Sequence, residues 1–180
     1  MLYFNETKVC CDMPEKVVVT ENDATALDLL TNADVTSIVV PDGTKKLRDC
    51  ALYLLEKLES VTLPNTLESL GLRALGSSKI ERIFIPKSVK SLGNECFIGC
   101  SALKEVIFED GVQIEHLPDR CFGSCTSLTE FTIPHSVKTI GNRPFNGCSN
   151  LKTIKIDNTR ENAPNGVWGV NPYPEIVYLR

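Results

Sequence analysis

The stretch Ile83-Phe84-Ile85-Pro86-Lys87-Ser88-Val89-Lys90-Ser91-Leu92-Gly93-Asn94-Glu95-Cys96-Phe97 is a phrase that returns along the chain about every 23 residues. Val61-Thr62-Leu63-Pro64 and Phe131-Thr132-Ile133-Pro134 repeat its opening, and Ser37-Ile38-Val39-Val40-Pro41 is an earlier copy. In Val106-Ile107-Phe108 and Ile154-Lys155-Ile156 an acidic residue follows in place of the proline. A fixed period of this size marks a solenoid, in which each coil buries its apolar flank only against its neighbours. Such a fold offers a broad ordered surface rather than a deep catalytic cleft.

Each coil opens with apolar residues at its first, fourth and sixth positions: Leu58, Val61 and Leu63, then Ile80, Ile83 and Ile85, and so on to Leu151, Ile154 and Ile156. Side chains alternate along a strand, so the fourth and sixth positions point inward and the third and fifth outward. Proline then ends the strand, because it has no N–H for a ladder. A second apolar pair follows, such as Val89 and Leu92, and then Gly71, Gly93 or Gly141. Glycine at that place predicts a turn needing positive φ. A small and a large residue close the coil (Ala74-Leu75, Cys96-Phe97, Cys121-Phe122, Pro144-Phe145), and a short helical or 3₁₀ turn is expected there. The coil beginning at Leu103 is two residues longer, with Glu109-Asp110-Gly111 in place of the proline turn, which puts the insertion in a surface loop.

With 180 residues the chain is read as one domain: an N-terminal cap over 1–34, repeats over 35–157 and a C-terminal cap over 158–180. In the first cap Val17-Val18-Val19 predicts a short strand, and Asn22 or Asp23 can cap a helix to about Leu30. At the other end Trp168 is expected to cover the last coil, with Ile176-Val177-Tyr178-Leu179 as a final strand. Mixed charge with a net of −4 and no basic run speaks against nucleic acid, and no apolar stretch is long enough to insert in a membrane. Residues 1–8 lack a basic segment followed by an apolar one, so a cytoplasmic location is expected, or a surface one if a leader has been removed.

Of the eight cysteines, Cys96 and Cys121 share the repeat position of Ala51 and Ala74, while Cys100, Cys125 and Cys148 share another. Cysteine that trades with alanine predicts a small buried thiol rather than a disulfide framework. Zinc is the alternative, but Cys-x3-Cys follows from the repeat and differs from the Cys-x2-Cys knuckle.

The segments 83–103 and 131–151 resemble the BspA-like, or treponemal-type, leucine-rich repeat, with Cys96, Cys121 and Pro144 where the family favours alanine. The resemblance covers residues 35–157, and the tail around Trp168 is similar to the family's ending. It implies a right-handed leucine-rich-repeat coil with a parallel β-sheet, and protein–protein recognition, often adhesion at cell surfaces.

No phosphate loop, His-Glu-x-x-His or serine elbow is present, and no enzyme activity, cofactor or metal is expected. His135 takes a turn position that elsewhere holds Asn65 and Lys87, and His116 could pair with Cys121 only if that thiol were not inward. What remains is the outward strand face. Its third positions are Ser37, Ser60, Arg82, Glu105, Glu130 and Thr153, and its fifth are Val39, Thr62, Phe84, Ile107, Thr132 and Lys155. Coils stacked about 4.8 Å apart turn each set into a row. The candidate site is therefore Arg82, Phe84, Glu105, Ile107, Glu130 and Thr132, an apolar centre with a charged rim, suited to a protein partner. The plainer reading is that Phe84 and Ile107 suit strand propensity and cover one another. A secreted adhesin unit and a structural spacer stand as the other functions; oligomeric state is not indicated.

Overall fold

The computed structural model describes residues 16–18, 35–164, 166 and 168–180. In chain order the strands are β1 (Lys16–Val18), β2 (Ser37–Val39), β3 (Lys46–Leu47), β4 (Ser60–Thr62), β5 (Ser69–Leu70), β6 (Arg82–Ile85) and β7 (Ser91–Leu92). There follow β8 (Glu105–Phe108), β9 (His116–Leu117), β10 (Glu130–Ile133), β11 (Thr139–Ile140), β12 (Thr153–Ile156) and β13 (Glu175–Tyr178). All pairings are parallel and join one coil to the next, as in the register Arg82↔Glu105 to Ile85↔Phe108. The protein is a solenoid, as the period predicts, with a parallel sheet on one side, as the resemblance implies. The helix expected to about Leu30 lies outside the described residues, as do Cys10 and Cys11.

The core runs along the spiral axis. Leu63, Ile85 and Ile133 are all buried in one apolar cluster with Leu58, Ile80, Leu103 and Leu128. On the broad side Phe97, Phe122 and Phe145 stack along the axis, with ring centroids 5.1 and 5.8 Å apart. Leu75 and Leu52 take the same place in the earlier coils, and the buried Trp168 lies 6.2 Å beyond Phe145. These rings bring the largest apolar areas in the coil into one column, which is where burial stabilises most.

The structure departs from the sequence reading in four ways. The sheet is not continuous: it divides into β1-β2-β4, β6-β8 and β10-β12-β13. The divisions follow the coil that begins at Leu58, which at 22 residues is one short of the period, and the longer coil that begins at Leu103, where the register of equivalent residues is disturbed. A second row of two-residue strands exists, paired as β3-β5-β7 and β9-β11, where the sequence shows only an apolar pair.

The broad side, third, holds no helix among the described residues. Its amides alternate between a local turn and the next coil: Arg73, Leu75 and Ser77 N–H donate to the carbonyls of Asn94, Cys96 and Ile98. Two left-handed residues per coil, such as Arg73 and Ser77 or Arg120 and Ser124, aim them there, and a helix cannot pass through such residues. Fourth, Gly71, Gly93 and Gly141 do not have positive φ. They stand where coils touch: a Cβ on Gly93 would lie 2.3 Å from the carbonyl carbon of Gly71.

Candidate docking face

The outward positions of β6 and β8 carry the centre of the face. Register puts Arg82 beside Glu105 and Phe84 beside Ile107. Arg82 Nε lies 3.3 Å from Glu105 Oε2, and both side chains are largely exposed. Phe84 is 47% and Ile107 39% exposed, although β6 is anchored by the buried Ile83 and Ile85 and β8 is paired to it along its length. Two bulky apolar groups thus stand side by side in solvent on a rigid base, flanked by an ion pair that is itself worth little in water.

The other two candidate residues sit apart from this centre. Glu130 and Thr132 belong to β10, which lies next to β8 without a hydrogen-bonded ladder. Glu130 turns the other way, accepting a bond from Lys155 Nζ on β12 at 2.7 Å, and Thr132 is half-buried. Arg82, Phe84, Glu105 and Ile107 therefore form one patch, while Glu130 and Thr132 form the far bank of a gap. Towards the N-terminal end the face is plain: Ser60 Oγ donates to Ser37 Oγ at 2.9 Å.

Sequence reasoning took the rows as evenly spaced and so missed that gap. The signal was present in the two-residue insertion at Glu109-Asp110-Gly111. Glu109 replaces the strand-ending proline and reaches back to the preceding coil. Its Oε2 accepts the Lys87 N–H at 2.9 Å, which holds its carboxyl below the usual carboxylate range.

The remaining reactive groups are distributed by the repeat and do not converge. His116 Nδ1 is 2.7 Å from Thr139 Oγ1 in the second row of strands, and His135 Nδ1 is 3.1 Å from the Asp157 carbonyl. Cys121 is fully buried, and burial pushes its thiol well up, as it does for Cys96. Cys100, Cys125 and Cys148 are buried too, and their thiols donate to the carbonyls of Leu75, Phe97 and Phe122 in the preceding coil. They are free thiols, polar ties between coils as much as apolar filler. Among the described residues no group of three or more His, Cys, Asp or Glu is placed to hold a metal, and no helix is long and apolar enough to cross a membrane.

Comparison with known proteins agrees with this geometry. A family model described as the BspA type leucine rich repeat region, in six copies, matches residues 28–152 and 115–167. The chain is similar to the crystal structure of the pneumococcal vaccine antigen PcpA, at 25% identity and a TM-score of 0.65, over 68% of this chain and 31% of that one. It is also similar to the T. pallidum leucine rich repeat protein TpLRR, at 22% identity and a TM-score of 0.64, over 81% of this chain and 73% of that one. No curated protein matches the chain.

Proposed function

Because the chain belongs to the BspA type leucine rich repeat family, we propose that it is a non-catalytic recognition module that docks a protein partner on its strand face. Repeats of this family generally mediate protein–protein interaction or adhesion. The observation that carries the reading to particular residues is the pair Phe84 and Ile107, exposed side by side on β6 and β8 and rimmed by Arg82 and Glu105. Aromatic and aliphatic groups presented on a stiff backbone lose little entropy on binding, and they are the usual anchors of an interface.

The test is a capture experiment from the native source, comparing the wild-type chain with a Phe84→Ala/Ile107→Ala variant, followed by titration of whatever is retained. Truncation of one anchor should weaken binding by about 1–3 kcal/mol while the unfolding midpoint hardly moves, since neither side chain is in the core. Equal retention of the partner by both proteins would reject the patch. A structural spacer is the competing reading, and Arg82→Glu separates the two: a spacer tolerates it, whereas a rim contact does not. A unit of an adhesin outside the cell is the other, favoured by the 25% identity to a vaccine antigen; cell fractionation decides it.

A further inference from the structure

The gap between β8 and β10 is more than a defect in the sheet. At β6 and β10 the two inward positions are filled by buried residues, Ile83 and Ile85, Phe131 and Ile133. At β8 the same positions hold Val106 and Phe108, and both are only half-buried. Glu109 still donates its N–H to the Ile85 carbonyl at 2.9 Å, so the extra residues fall in the Asp110-Gly111 turn that follows, and beside that turn the half-buried Val106 and Phe108 keep part of their surface open. The opening is a groove of about 800 Å³ that runs from the strand face past the Asp110-Gly111 turn to Leu179 and Arg180.

Its walls combine two chemistries. Val106, Ile107, Phe108 and Leu179 supply apolar surface, with Ile107 39% and Leu179 50% exposed. Glu105, Glu109, Asp110 and Asp157 line the rim, against a single guanidinium, Arg180, which is already bound to both carboxylate oxygens of Asp157. Among the described residues the cationic partners of Glu105 and Glu109 are Arg82 and Lys87, which stand outside the groove. The lining therefore has an excess of negative charge around an apolar floor.

We propose that this groove docks an extended segment of a partner protein in which basic residues alternate with aliphatic ones. Alternate side chains of an extended peptide point to opposite sides, so aliphatic groups reach Val106 and Phe108 while lysines or arginines between them meet the acidic rim. Charge complementarity selects a basic segment over an acidic one and speeds the encounter. This deepens the docking role proposed above and rests on it. Phe84, however, does not line the groove, which keeps the two separable.

The experiment titrates the isotope-labelled full chain with the acetylated, amidated heptapeptide Lys-Val-Lys-Leu-Lys-Val-Lys, and with its counterpart carrying Glu at each Lys. Saturable amide shifts confined to residues 105–113, 132–136 and 179–180 are expected with the basic peptide alone. Affinity should drop about fivefold or more with Asp110→Lys, an exposed turn substitution that leaves the core untouched, and should weaken as salt is raised. No shift, shifts scattered elsewhere, or equal binding of the acidic peptide would overturn the proposal. So would the same shifts appearing on concentrating the chain alone, which would assign the groove to a second copy. A Phe84→Ala chain that keeps its partner but still binds the heptapeptide rejects the patch and leaves the groove standing; the converse result rejects the groove alone.

Discussion

Two glycines show how differently one residue type is used. Gly93 has no positive φ, but its α-hydrogen faces the Gly71 backbone, so a methyl group there must push two coils apart. Gly111 has φ +85 in the Asp110-Gly111 turn, with nothing within 4 Å of a Cβ. Gly93→Ala should therefore cost at least about 2 kcal/mol, and Gly111→Ala about 1 kcal/mol, the price of a left-handed L-residue in open space. Urea denaturation of the two variants checks this, and equal costs would mean that coil contact is not what selects Gly93. The sequence alone favoured the opposite assignment, because a glycine after an apolar pair looks like a turn residue. The first left-handed position of these coils holds Arg73, Glu95, Arg120 or Arg143, which carry no compositional mark, while the second is a glycine only at Gly99 and Gly147. The inward residues, by contrast, were legible, since burial at Ile83, Ile85, Phe131 and Ile133 needs only alternation.

Among the elements, the rows of cysteine have a measurable consequence. Burial is the first cause that raises the Cys96, Cys100 and Cys121 thiols above their ordinary value of 9.0. The folded chain thus keeps protons that the unfolded chain gives up from about pH 8.5. Their contribution to stability is whole below that pH and is lost as pH climbs towards the folded-state values, at about 1.4 kcal/mol per pH unit for each thiol. A Cys96→Ala/Cys121→Ala variant, with the residue already present at Ala51 and Ala74, should stay within about 1 kcal/mol per site of wild type at pH 7 and show a shallower decline above pH 9. Denaturant midpoints between pH 7 and 10 test it; parallel curves would contradict buried, protonated thiols. The strands that begin each coil were legible because they are bounded by proline and built on alternation. The second row, β3 to β11, was not, since a two-residue strand has no period of its own. Nor was the break beside β8: an insertion is visible in sequence, but whether it loops out or parts the ladder depends on the neighbouring coil.

At the level of the whole molecule, stability is divided between coils and the contacts that join them, so the ends are the weakest part. Trp168, the only tryptophan, is buried against Phe145 in the final coil and reports on that end alone. Its emission should shift to the red at lower urea than the loss of far-ultraviolet circular dichroism, which samples every coil; coincident curves would make the solenoid one cooperative unit. The ties between coils also stay close to one period in length along the chain. Ser60 to Ser37 spans 23 residues, Arg73 to Glu95 spans 22, and Asn142 to Asp119 spans 23. The loop that must close to add a turn is then nearly the same at every step, and its entropic toll does not grow as the spiral lengthens. Assembly of a longer relative would be slowed by the number of steps rather than by the difficulty of any one, with each finished turn serving as the template on which the following one is laid.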